Sequence, residues 1–125
     1  MDEPPHTVVE LPEFVAFAER NLTEEERAAI IVHLALHPQD GDLIKGTGGL
    51  RKIRWAAKGK GKSGGVRIIH YYYSDDIPIF IITGFAKNKM ENISPAARNI
   101  YRKLLPQIVN AYKESRHGRK KIEQH

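Results

Sequence analysis

Residues 50–84, LRKIRWAAKGKGKSGGVRIIHYYYSDDIPIFIITG, decide the fold. Three runs in this stretch, 50–56, 66–73 and 77–84, are rich in β-branched and aromatic residues and read as strands. The link between the first two alternates lysine with glycine and is too glycine-rich for regular structure. Ser74-Asp75-Asp76 joins the second and third and reads as a tight hairpin turn. Strands joined this closely pair antiparallel, so the stretch predicts a three-strand meander.

Helical signals flank the meander on both sides. Residues 6–11, centred on Val8 and Val9, read as a short edge strand, and Pro12 suits the first position of a helix. Phe14, Phe17 and Ala18 share one face of that helix, which is expected to stop near Asn21. Thr23 and Glu26 form a capping box, and Glu24, Glu25 and Glu26 complement the dipole of a second helix. Ile30, Ile31 and Leu34 give its buried stripe, and it must end by His37, the residue before Pro38. Residues 39–49 read as a turn-rich connection. Ser94 and Pro95 start the last helix as cap and first position, with Ala97, Ile100, Tyr101, Leu104 and Ile108 as its apolar face. Pro106 is expected to kink or split it, and the chain from Ser115 on to fray. The order predicts an α+β fold: an N-terminal strand, two helices, a mostly antiparallel sheet and a C-terminal helix, with the helices on one face of the sheet. Residues 1–113 form one domain, and 114–125 a basic, flexible tail.

Composition bounds the function. With 125 residues, 41% hydrophobic and 28% charged, the chain supports one core and is not disordered in character. Its densest apolar run, 77–85, is too short to span a bilayer and contains Pro78. The first residues lack the layout of a signal peptide, so a cytoplasmic address is expected. The absence of cysteine excludes disulfides, a thiolate nucleophile and cysteine-based zinc sites. The net charge of +5 is unevenly spread. Residues 1–42 carry ten acids and two bases, whereas 43–74 carry eight bases and no acid. Such a concentrated positive field favours a polyanionic partner.

Two apparent motifs fail on context. Residues 59–64 match G-x-G-x-x-G, but a dinucleotide fingerprint opens into a helix, and this one opens into a strand. Gly61-Lys62-Ser63 resembles the end of a phosphate-binding loop, yet Ala56 stands where the first glycine is required. His33 and His37 lie one helical turn apart without an acid between them in a metal-binding pattern, and read as helix-end histidines.

Strand alternation turns the charge count into a face. Leu50, Lys52 and Arg54 share one side of the first meander strand, and Arg51, Ile53 and Trp55 the other. In the second, Arg67, Ile69 and Tyr71 oppose Val66, Ile68 and His70. Ile53 and Trp55 belong with the core, so Lys52 and Arg54 point to the open face, where Arg67 joins them if the register allows. His70 then faces the core. Converging cations repel each other, and an anion resolves the repulsion.

These residues carry a family resemblance. Residues 46–55 (GTGGLRKIRW) and 59–69 (GKGKSGGVRII) resemble the RelE/HigB toxin superfamily, nearest its HigB-type members, and 85–94 (FAKNKMENIS) is similar to that family's basic loop before the last helix. The resemblance implies the toxin of a type II toxin–antitoxin pair, a ribosome-dependent endoribonuclease that cuts mRNA in the 30S decoding site without a metal or other cofactor. It also implies a cognate antitoxin, often with a helix-turn-helix domain, and no membrane. Mapped onto this chain, the catalytic residues are Lys52, Arg54, Arg67 and Lys87, and the RNA-binding residues Arg51, Lys58, Lys60, Lys62 and Lys89. In that chemistry Lys52 acts as general base, which an amine does near neutrality only when its pKa is lowered, the direction in which neighbouring cations push. Arg67 forks onto the phosphorane oxygens, and Lys87 neutralises the leaving oxygen. The chain departs from several relatives at Ser94, where they carry a tyrosine, and at His70, where some carry an aromatic. The same basic face would also serve a non-catalytic nucleic-acid binder or a module that binds only an antitoxin.

Overall fold

The computed structural model describes residues 5–57, 65–87 and 93–123, with side chains as far as residue 114. The elements are β1 (Val8–Glu10), α1 (Pro12–Asn21), α2 (Glu24–Leu36), β2 (Asp42–Leu43), β3 (Leu50–Trp55), β4 (Val66–Tyr71), β5 (Ile79–Ala86) and α3 (Pro95–Glu123). They form one five-stranded sheet in the order β1-β5-β4-β3-β2. The meander β3-β4-β5 is antiparallel, as its short links require, and β1 lies parallel to β5 at one edge.

Local chemistry sets the N-terminal half as expected. Pro12 opens α1, which ends at Asn21. The capping box of α2 is complete: the Glu26 N–H donates to Thr23 Oγ1 at 3.1 Å, and the Thr23 N–H donates to Glu26 Oε1 at 2.8 Å. The helix stops at Leu36, with His37 as cap ahead of Pro38. A two-point contact between the Arg27 guanidinium and the Glu10 carboxylate ties α2 to β1.

Three expectations are corrected. The helices do not share one face. Ile53, Val66, Ile68 and Ile81 pack with Phe14, Phe17, Ile30 and Leu34 of α1 and α2. Leu50, Ile69, Tyr71, Phe80 and Ile82 pack on the opposite side with Leu105 and Val109 of α3. Both sides of the central strands are apolar over part of their length, and a sheet of that kind needs cover on both faces. The phase of α3 differs in part, since Ala97, Tyr101 and Ile108 pack against that core as expected. Ile100 and Leu104 are 61% and 39% exposed, while Leu105 and Val109 are buried, and Pro106 lies within one continuous helix. The helix continues to Glu123, in keeping with its run of arginine and lysine, which are good helix formers. Finally, β4 and β5 are joined by residues 72–78, a longer loop than a tight turn, because Pro78 has no N–H for the ladder and the edge of β5 at Ile79 is taken by the Thr7 carbonyl (2.9 Å).

Within the ladder a bulge falls between Ile69 and His70: Ile69 pairs with Thr83 and His70 with Ile81, leaving Ile82 as the extra residue. Next to it Gly84 is fixed by space. A Cβ there would lie 2.5 Å from Cε2 of the buried Phe17 ring. Gly84→Ala is expected to lower unfolding stability by about 1–3 kcal/mol in urea titration. Adding Phe17→Leu should recover part of that loss, and an unchanged single variant would contradict this packing.

Candidate functional site

The register of β3 on β4 gathers the cations. Leu50 pairs with Tyr71, Lys52 with Ile69 and Arg54 with Arg67, so all six side chains belong to one face. Half of that face is apolar and lies in the α3 core: Leu50, Ile69 and Tyr71. The other half is cationic, and in it Arg54 and Arg67 stand directly opposite each other. Like charges in that position destabilise a ladder by about 0.2–1 kcal/mol. Packing does not call for the pair, since Arg54 is exposed and Arg67 only half-buried. Arg67 sits on a central strand between β3 and β5, where it pairs with Phe85, so its backbone is held on both sides. Lys87 follows directly after β5. Its N–H reaches the Gly65 carbonyl at 3.3 Å, which sets its backbone beside the start of β4, two residues from Arg67.

Other expected site residues fall elsewhere. Arg51 lies on the opposite face, with its Nη1 donating to the Gly41 carbonyl at 3.2 Å, and does not join Lys52 and Arg54. Lys58, Lys60, Lys62 and Lys89 lie outside the described residues. A carboxylate, by contrast, enters where the sequence reading has only bases. Asp42 of β2 stands opposite Lys52 in the ladder. A two-residue strand is too short for alternation to reveal it. Gly41, at φ +97°, supplies the turn that brings it in, and a Cβ there would meet the Lys52 carbonyl oxygen at 2.7 Å.

His70 and His33 are held by packing and hydrogen bonds within the fold. His70 is fully buried, and its Nε2 lies 2.9 Å from the Asp40 carbonyl. A carbonyl only accepts, so Nε2 carries the proton and Nδ1 is a bare lone pair without a partner. Burial pushes the ring down to about 4, the Arg51 guanidinium adds to the shift, and the Asp40 carbonyl opposes it. His70 is therefore neutral at pH 7, facing the core as expected. His33 pairs with Asp40, Nε2 to Oδ2 at 2.6 Å, and its ring lies against those of His37 and Trp55. That bond holds the Asp40 carboxyl below its ordinary value, and the Gly41 N–H helps. Among the described residues, no group of three or more histidine, aspartate or glutamate side chains is placed to hold a metal ion. No helix among them is long and apolar enough to cross a membrane.

A sheet of this order, with two helices on one side, one on the other and opposed arginines beyond the α3 core, defines an α+β domain with a cationic face. The family described as the RelE toxin of the RelE/RelB toxin–antitoxin system matches residues 12–121, and the chain belongs to that family. Its fold is similar to the solved structure of an arginine-to-alanine double mutant of the E. coli toxin RelE in the free state. The TM-score is 0.51 over 70% of this chain and 88% of that one, at 14% sequence identity. The RelE-like order of elements expected from the sequence is the order observed.

Proposed function

We propose that this chain is a toxin of the HigB type that cuts mRNA on the ribosome, in the 30S decoding site, in the cytoplasm. Its antitoxin would carry a helix-turn-helix domain. The observation that carries the reading is the Arg54–Arg67 pair: two guanidiniums opposed in one ladder, with Lys52 on the same face and Lys87 close by in the chain's path. An RNA phosphate between them offsets their repulsion and uses the forked donors of both.

The residues divide the work of an internal phosphoryl transfer. Lys52 takes the proton of the ribose 2′-hydroxyl, and the 2′-oxygen attacks the adjacent phosphorus. Arg67 and Arg54 hold the non-bridging oxygens as charge builds on the phosphorane. The bond to the 5′-oxygen breaks, and the Lys87 ammonium neutralises the oxygen that leaves by donating it a proton. The products are a 2′,3′-cyclic phosphate and a 5′-hydroxyl, and the balance needs neither a metal nor a second substrate.

Expression of the protein without its antitoxin is expected to arrest growth and to fragment messages at translated positions, read by mapping the 5′ ends of cellular RNA. An intact message pool after induction contradicts the proposal, and leaves the basic face as a binding surface without catalysis.

A further inference from the structure

The turn that feeds β3 and the start of α3 build a second cationic site. Thr47, fully buried, pins the turn: its hydroxyl donates to the Ile44 carbonyl at 2.7 Å and accepts from the Leu50 N–H at 3.0 Å. Gly46 and Gly48, at φ +79° and +81°, complete its shape. A groove of about 340 Å³ opens there, lined by Lys45, Gly46, Pro95, Arg98, Asn99 and Arg102. Arg98 Nη1 leans on the Lys45 carbonyl at 3.4 Å, and its Nε is enclosed without an acceptor. Arg102 passes over Gly48 and donates to the neutral amide of Asn99 at 2.9 Å. None of the three cations belongs to an ion pair among the described residues. The sequence of α3 from Pro95 to Lys113 holds no acid to pair with them.

We infer that this groove binds the backbone of single-stranded RNA, as a second phosphate subsite beside the Lys52–Arg54–Arg67 face. The inference rests on the proposed function for its choice of RNA. Both sites lie on the α3 side of the sheet, because α3 packs over Leu50 and Ile69, and the turn at 44–49 runs directly into the strand that bears Lys52. Arg98 and Arg102 are one helical turn apart, roughly 5–6 Å between Cβ atoms, a pitch that lets two guanidiniums take successive phosphates of one strand. The positive end of the α3 dipole adds to the same field, undiminished by any acid in the first turn.

The test uses a short single-stranded RNA with methylated 2′-hydroxyls, which binds without being cut, and fluorescence anisotropy across a range of salt. Arg98→Ala/Arg102→Ala is expected to weaken binding at least tenfold. It is also expected to flatten the log–log salt slope by about 1.4, at about 0.7 for each phosphate contact of a single strand. Arg98→Lys/Arg102→Lys keeps both charges and should restore most of the slope. Arg102→Glu, at the surface, carries the same test if the double alanine variant melts early. A wild-type slope in the alanine variant overturns the inference. So does tighter binding of a polyglutamate peptide than of RNA with the same dependence on Arg98 and Arg102, which makes the groove a protein-docking site. Ribosome-dependent cleavage is scored separately. RNA binding that depends on Arg98 and Arg102 in a protein that never cleaves keeps the groove and removes the proposed function, and cleavage without that dependence does the reverse.

Discussion

Arg67→Ala is expected to abolish mRNA cleavage on the ribosome while the domain stays folded. Arg67 lies at the centre of the cationic half of the face, opposite Arg54 and next to Phe85, on a strand hydrogen-bonded on both sides. Its guanidinium has no acid partner among the described residues, and its hydrogen bond to the Val66 carbonyl, at 3.4 Å, is long. Truncation therefore removes little from the fold and relieves the repulsion with Arg54. Loss of one preorganised donor to a phosphorane costs about 10²–10³ in rate. The turnover of a programmed ribosome complex should fall by at least that factor, with the melting temperature unchanged or slightly raised. Arg67→Lys keeps the charge without the fork and should recover only part of the rate. Wild-type cleavage by Arg67→Ala would take the residue out of the site.

The second large effect is acid destabilisation through His70. The ordinary histidine value of 6.5 applies to the unfolded chain, and in the folded protein burial lowers it to about 4. As pH falls through 6.5 the unfolded chain takes up a proton that the folded chain refuses until about pH 4. Stability is thus lost across that window, by about 3 kcal/mol at its acid end. Urea titrations at pH 7.5 and pH 4.5 should differ by most of that amount. His70→Gln keeps a donor for the Asp40 carbonyl and removes the titration, so its stability should vary much less between the two pH values. The Asp40 carboxyl, held below its ordinary value by His33, contributes stability that is lost only as pH falls further. An equal pH dependence in His70→Gln and wild type would contradict the assignment.

How far the sequence can be read follows from the length over which each signal repeats. The capping box at Thr23 and the stop before Pro38 are local patterns several residues deep and stand where the residues predict them, and the three long strands form within two residues of their expected bounds. Alternation along β3 and β4 put Lys52, Arg54 and Arg67 on one side, and only the register was missing. The register pairs Arg54 with Arg67. Signals shorter than a period left no trace. Asp42 reaches Lys52 through a two-residue strand, which no alternation can show. Ile100, Leu104, Leu105 and Val109 crowd two adjoining stripes of α3, and only packing on the sheet decides that Leu105 and Val109 are the buried ones. The second helix layer is not legible from charge, because the cations Lys52 and Arg54 share their side of the sheet with the apolar Leu50, Ile69 and Tyr71. The groove at Lys45, Arg98 and Arg102 joins residues more than fifty positions apart and belongs to tertiary structure alone.

The chemistry proposed for this face is internal attack of a ribose oxygen on the adjacent phosphate. Its most direct test is the chemistry of the cut ends, made by the purified protein on a message held in the decoding site of a 30S-containing ribosome complex with metal-chelated protein added last. A 2′,3′-cyclic phosphate upstream and a 5′-hydroxyl downstream, absent with Arg67→Ala, is the result predicted. An uncut message, or ends bearing a 3′-hydroxyl and a 5′-phosphate, would contradict it.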